Sequence, residues 1–335
     1  MDTISPVYAR LVLREMERCN IDTAALFAGT QLTRSGLLRG GDISLPDFLH
    51  ILEIGQQRLE GGQLGLMLGR NMRVFALGPV GAGMVVAPTL REGLQLLESY
   101  TRLHTTYTSL RASSTLSGLT IELLYQHDIG SLERFHTETA AMLLQQYVEE
   151  VTGQPMTDAF YRLSIPQPAD TSAYEQAFHG RIDFGCQHNE IDIPKHWLDR
   201  PSPYFHDELW SLAQKSLSTR LKELGTKETA GYTQHVSALL RTCEPPLPDL
   251  RELASNLHVS ERTLNRRLQA ESSSFRQLKS DALANWAKIY LDQTNQSVES
   301  IAAALGYQDT ANFRRAFRKS TCVSPNEYRL AHSRN

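Results

Sequence analysis

Two stretches near the C-terminus, "ELASNLHVSERTLNRRL" (252–268) and "SIAAALGYQDTANFRRAF" (300–317), are near-copies of one pattern, and they leave the end of the chain few ways to fold. Ala254 and Leu257 match Ala302 and Leu305, and Leu264 and Leu268 match Phe313 and Phe317, with one extra residue in the turn of the second copy. Each copy reads as a helix, a short turn, a polar capping residue (Ser260 or Asp309) and a second helix carrying Arg-Arg. Residues four apart share a helical stripe, so the Leu and Phe pairs face a core. In the second copy Arg314, Arg315, Arg318 and Lys319 fall on the opposite side. The small Ala254 and Ala302 let the two helices of each copy cross closely. This is a helix-turn-helix, present twice.

Ser260 and Asp309 are 309 − 260 = 49 residues apart. Between them "SFRQLKSDALANWAKIYLDQ" (274–293) spaces Phe275, Leu278, Leu283, Ala287, Tyr290 and Leu291 as one connecting helix, roughly 30 Å long. Successive major-groove faces of B-DNA recur every ~34 Å. One chain is therefore expected to set two recognition helices in consecutive grooves and read a split site.

Charge agrees once the chain is divided. Residues 249–335 hold 13 Lys+Arg against 9 Asp+Glu, a net of +4; taken from the whole chain's 34 and 37, that leaves 21 against 28, a net of −7, for residues 1–248. A modestly basic module on an acidic body points to an anionic partner for the module alone, and binding should weaken steeply with salt as counterions are released.

Upstream, "TCEPPLPD" (242–249) places three prolines in four residues and reads as an exposed hinge or linker. Before it, "YFHDELWSLAQKSLSTRLKELG" (204–225) carries Phe205, Leu209, Leu212, Leu217, Leu221 and Leu224 near helical spacing. That is an amphipathic helix of about five turns, which either packs on its own domain or dimerises. The first 203 residues mix helical patterns (7–19, 46–60, 90–104, 131–152) with strand-like "LSGLTIELLYQ" (116–126) and "AFYRLSIP" (159–166). The expected architecture is an α+β N-terminal domain over 1–203, an amphipathic helix and linker over 204–248, and an all-α C-terminal domain with two helix-turn-helix units over 249–335.

Catalysis and cofactors find little support. "GPVGAG" (78–83) lacks the Lys-Ser/Thr of a phosphate loop, and Glu149-Glu150 fits a solvated helix face. His188 and His196 lack metal-binding spacing, and no Ser-His-Asp or Cys-His arrangement stands out. Cys19, Cys186, Cys243 and Cys322 form no C-x-x-C pair, so reduced structural thiols are expected. No cofactor, no metal site and no catalytic residue is expected. The start "MDTISPVYAR" lacks a secretion-signal layout and no apolar run reaches bilayer length, so the expected location is cytoplasmic, with no membrane partner.

"LRELASNLHVSERTLNRRLQAE" followed by "SVESIAAALGYQDTANFRRAFRKSTCVSPNEYR" resembles the C-terminal domain of the AraC/XylS family of bacterial transcription regulators. The specific part is the second half, with A-x-x-x-G-[FY], Phe four before Phe, Ser-Pro and a closing Tyr-Arg. "LGLMLGRNMRVFALGPVGAGMVVAPTLREGLQLLESYTRLH" (64–104) and "YEQAFHGRIDFGCQHNEIDIPKHWLDRP" (174–201) look like the arabinose-binding-domain-like effector domain of one branch of that family. Family members usually have Gly where this chain has His258, Ser272 and Cys322, and commonly Arg where it has Leu283; Gly suits left-handed backbone at such stops.

Residues early in a recognition helix reach base edges and those farther along touch phosphate. In the first unit this singles out Arg262, Asn265 and Arg266, since Arg bridges guanine O6 and N7 and Asn pairs with adenine. By the same resemblance Thr310, Ala311, Asn312 and Arg315 face the groove in the second unit, while Arg314, Arg318 and Lys319 suit phosphates or salt bridges to neighbouring helices. Tyr100, Tyr107, Tyr125, Tyr147, His104, His127 and His136 can line an effector pocket, with the effector class left open. The expected partners are double-stranded DNA, a small-molecule effector, a second copy of the chain and RNA polymerase. Two alternatives stand beside this: a ligand-independent regulator whose front domain only dimerises or binds a protein, and an enzyme with an attached DNA-binding tail.

Overall fold

A computed structural model describes residues 3–59, 63–101, 105, 107–126, 129–130, 132–224, 232–257 and 259–332. The chain divides into two compact units, Met1–Ala112 with Gly118–Glu223, and Ser113–Ser117 with Leu224–Asn335.

The first unit is α+β. Its helices are α1 (Pro6–Arg18), α2 (Arg34–Arg39), α3 (Leu45–Arg58), α4 (Leu64–Asn71), α5 (Pro79–Val85), α6 (Leu90–Tyr100), α7 (Leu132–Thr152), α8 (Ser172–Ala177), α9 (Lys195–Leu198) and α10 (Asp207–Leu224). Strands β1 (Thr3–Ile4) and β2 (Ile43–Ser44) pair with each other. β3 (Thr108–Ser114), β4 (Gly118–Tyr125), β5 (Phe160–Arg162), β6 (Arg181–Asp183) and β7 (Asn189–Pro194) form a five-stranded sheet in the order β3-β4-β7-β5-β6. β7 lies antiparallel to β4, with Ile121 opposite Ile191 and Leu119 opposite Ile193, and all four side chains are buried. The strand expected over 159–166 is only the three residues of β5.

α7 is the unit's central strut, and α4 lies against it because Gly65 and Gly69 carry no side chain. A Cβ on Gly65 would stand 2.8 Å from the Phe135 carbonyl oxygen, and one on Gly69 2.4 Å from the Met142 Cβ. The "GPVGAG" stretch is the start of α5, where a Cβ on Gly81 would fall 1.9 Å from the Val74 carbonyl oxygen. Gly81 and Gly83 serve close packing, and Gly78 (φ 58°) supplies the left-handed turn into the helix.

α10 has the expected length, but its apolar residues do not form one stripe. The five-residue step from Leu212 to Leu217 rotates the helix about 140° beyond a full turn, at about 100° per residue. Leu217 is fully buried in the unit's core, whereas Phe205, Leu209 and Leu212 stand 46%, 48% and 62% exposed.

The second unit is all helical over α11 (Tyr232–Thr242), α12 (Leu250–Asn256), α13 (Glu261–Ala270), α14 (Phe275–Gln293), α15 (Val298–Ala304), α16 (Thr310–Thr321) and α17 (Pro325–His332). The proline run is not an exposed hinge, and the unit does not begin at 249. Val236 and Leu240 of α11 and Leu247 of the proline run are buried in the same core as α14, so this compact unit includes the helix before the prolines. Trp286 Nε1 donates to the Cys243 carbonyl at 3.0 Å, and Lys279 Nζ donates to those of Leu247 and Pro248 at 3.0 and 3.1 Å. The prolines break the helix, and the break is then fastened to α14.

The three departures from glycine divide accordingly. Ser272 (φ 56°) and Cys322 (φ 64°) both adopt left-handed backbone, and His258 lies outside the described residues. Ser272 and Ser273 close the end of α13 by donating to the Gln269 and Leu268 carbonyls at 3.0 and 2.9 Å, while Cys322 donates to the Arg318 carbonyl at 2.9 Å. Leu283 packs, partly buried, on the unit's core. A left-handed residue with a Cβ costs ~1 kcal/mol. Cys322→Gly is therefore expected to raise stability by up to ~1 kcal/mol, read as a higher urea midpoint at unchanged slope; a lower midpoint contradicts the strain.

Candidate nucleic-acid interface

Each recognition helix is held by the side turned away from solvent. Leu264 and Leu268 of α13 are fully buried, as are Phe313 and Phe317 of α16 to within 1%. These pairs join Ala254, Ala302, Trp286, Ala287 and Leu291 in one core. Phe313 and Phe317 lie 5.9 Å apart by ring centroid, and Tyr307 and Tyr328 meet them edge-on at 5.4 and 5.7 Å. α14, with 19 residues and therefore about 28 Å long, is the scaffold between the two units.

The supporting helices stop alike. Tyr307 N donates to the Ala302 carbonyl at 3.0 Å across Gly306 (φ 80°), and Val259 N donates to the Ala254 carbonyl at 2.9 Å. Each such stop sets up the turn into a capped helix. Ser260 Oγ accepts from Thr263 N at 3.2 Å to open α13, and the Asp309 carboxylate accepts from Asn312 N at 2.6 Å to open α16.

The opposite faces carry the polar residues. Arg262, Asn265 and Arg266 are exposed on α13. Arg267, beside them in sequence, turns inward, with its guanidinium 4.3 Å from the Tyr232 ring. On α16 Ala311, Asn312, Arg314, Arg315, Arg318 and Lys319 are exposed and Thr310 is half-buried. Asp309 orients more than the backbone, because it also accepts from the Asn312 side-chain amide, and Asn312 Oδ1 in turn accepts from Arg315 at 2.5 Å. Arg314 is committed elsewhere, to Glu299 of α15 at 3.0 Å. Glu299 is held below its ordinary carboxylate range by a backbone amide at the helix start, with Ser297 and Arg314 assisting. The salt bridge from Arg314 to a neighbouring helix was among the roles expected of it, with Glu299 as the partner the sequence did not name, whereas the orienting role of Asp309 was missed; the i, i+3 spacing of Asp309, Asn312 and Arg315 was the available signal.

The pocket residues scatter. Of those expected, His136 lines a cavity in the first unit, and Tyr107 stands behind it, its hydroxyl 2.9 Å from His136 Nε2. Tyr147 instead donates to the Met84 carbonyl at 2.9 Å and Tyr125 reaches Thr137 at 2.9 Å; neither they nor Tyr100 line that cavity. His104 and His127 lie outside the described residues. Among the described residues no group of three His, Cys, Asp or Glu is placed to hold a metal ion, and no helix is long and apolar enough to cross a membrane.

The model of the arabinose-binding domain of AraC transcription regulators (N-terminal) matches residues 21–202, and a helix-turn-helix domain model matches residues 253–331. The chain is 26% identical to the ornithine utilization regulator of Pseudomonas aeruginosa over 98% of this chain and 97% of the relative. It is 24% identical to the regulator VqsM of the same species, over 87% and 94%. The crystal structure of the transcriptional regulator CdpR from Pseudomonas aeruginosa shares the fold, with a TM-score of 0.50 at 22% identity, covering 97% of this chain and 98% of that one. Two helix-turn-helix units behind an α+β domain define a DNA-binding transcription regulator. The chain belongs to the AraC family of these regulators.

Removing the Asp309 side chain should lower unfolding free energy by ~1 kcal/mol, and should cost DNA affinity through the loosened Asn312 and Arg315. Asp309→Asn should retain most of both in parallel denaturation and binding titrations. An alanine variant with unaltered DNA affinity contradicts the orienting role.

Proposed function

We propose that the protein reads a bipartite operator with Arg262, Asn265 and Arg266 of α13 on one half-site and Thr310, Ala311, Asn312 and Arg315 of α16 on the other. The observation that carries this reading is that both helices bury one apolar pair and present their N-terminal polar residues to solvent. Arg314, Arg318 and Lys319 lie farther along α16 and take the phosphate side, with Arg314 also bracing α15. Within this reading, residues 1–203 serve as the effector domain, α10 as the dimerisation helix, and the helical unit that includes α11 and the proline run, and so begins before residue 249, as the DNA-reading part. No enzymatic step is assigned, RNA polymerase is the further partner at the promoter, and the cytoplasm is the place of action.

A second copy of the chain is proposed to dock on α10. Leu209 and Leu212 lie three apart on one side of the helix, and they, with Tyr204 and Phe205 just before it, are 46% to 62% exposed. Such a contiguous apolar face marks an association surface. Leu212→Glu should shift the sedimentation of the full chain from dimer to monomer with an unchanged thermal midpoint; a dimer that survives the charge removes α10 from the interface.

Arg315→Ala should weaken operator binding by ~1–3 kcal/mol and relax selectivity at one base position, whereas Lys319→Ala should weaken all sequences about equally and reduce the salt slope by roughly one. Fluorescence anisotropy across a panel of operator variants at several salt concentrations separates these effects. Unchanged affinity and selectivity in Arg315→Ala would remove that assignment.

A further inference from the structure

DNA reading leaves one feature of the first unit without a use, the cavity beside His136. It has a volume of ≈110 Å³. A cavity of about 150 Å³ lined by aliphatic and aromatic side chains stays dry and takes up benzene, so this one suits a molecule of about one ring. Its walls come mainly from Leu68, Met72, Leu110, Leu123, Phe135 and Leu143.

The polar groups around it are mostly spoken for. Thr101 donates to the Leu97 carbonyl at 2.5 Å, Thr105 and Thr108 share a hydroxyl bond at 2.5 Å, and Thr139 donates to the Gly65 carbonyl at 3.2 Å. The hydroxyls of these threonines are thus engaged within the protein. Two handles remain: the Tyr8 hydroxyl, which has no hydrogen-bond partner among the described residues, and the His136 imidazole, whose Nε2 and Nδ1 lie 2.9 and 3.3 Å from the one Tyr107 hydroxyl, its sole hydrogen-bond partner among the described residues. Burial holds that imidazole neutral, its pKa lowered to about 3. Desolvation also pushes the Tyr8 phenol above its ordinary value, so it stays a donor.

No charged side chain lines the cavity among the described residues. A carboxylate placed here would lose its water with no cation to meet it, and a sugar would bury hydroxyls that outnumber the available partners. The matching family model carries arabinose in its description, and this lining does not fit that class of molecule.

We propose that this cavity binds a small uncharged aromatic alcohol, its ring against Leu110, Leu123, Phe135 and Leu143 and its hydroxyl between Tyr8 and His136. The proposal rests on reading the first unit as an effector domain and assigns the class of its ligand.

The test is calorimetric titration of the full-length protein with phenol, toluene, benzoate and arabinose, without DNA. Phenol should bind, toluene more weakly, and benzoate and arabinose at least tenfold more weakly than phenol. Ala140→Leu, on the cavity wall, should cut phenol affinity at least tenfold without lowering the thermal midpoint. His136→Phe should erase the preference for phenol over toluene. The probe comparison on the unaltered protein stands even where a variant fails to fold. Benzoate or arabinose binding more tightly than phenol overturns the ligand class while leaving an effector domain standing, and silence of all four probes at millimolar concentration overturns the proposal. Operator binding, measured separately by anisotropy, scores the DNA-reading function independently of either result.

Discussion

Burial of two side-chain pairs, Leu264 with Leu268 and Phe313 with Phe317, governs what the rest of the C-terminal unit can present. Each pair fixes the rotation of its helix about the helix axis, and the polar residues then face outward by periodicity alone. The magnitudes rank the contributions. Emptying a buried phenylalanine costs ~3–5 kcal/mol and losing a helix cap ~1, whereas an ion pair as exposed as Arg314–Glu299 is screened by solvent and contributes least. Packing sets the orientation of the helices, capping sets where they start, and the ion pair links α15 to α16 at the surface.

That hierarchy explains what the sequence disclosed. The duplicated Ala, Leu and Phe positions were legible because helical burial repeats with a fixed period, and the caps Ser260 and Asp309 because an N-cap needs a short acceptor. The left-handed stops at Ser272 and Cys322 were foreseen through the family resemblance, since no local rule selects serine or cysteine there. Among the expectations that failed, two did so for reasons local to a helix or a chain break. The prolines before residue 249 suggested an exposed break, but the carbonyls they leave free are taken up by Lys279 and Trp286 of α14. The leucines of α10 suggested one seam, but a single five-residue step sends Leu217 into the core and leaves Leu212 outside.

The cavity was the least legible feature. It is lined from β1, α1, α4, α6, β3, β4 and α7, and the aromatic and histidine residues that a composition argument favours mostly serve other purposes. Tyr147 and Tyr125 satisfy local polar groups, and of the expected set His136 is the one that lines the space among the described residues. A pocket is assembled from long-range neighbours whose spacing carries no period. The two units also differ in what they present: exposed cations on α16 of one, and on the other a cavity with no charged side chain in its lining among the described residues.

The central claim is that the two readers lie on one rigid scaffold and enter adjoining major grooves. Hydroxyl-radical footprinting of the protein on its operator addresses it most directly. The account predicts two protected windows on the same face of the duplex, centred about 10–10.5 base pairs apart. A single window, or two windows on opposite faces, would contradict it.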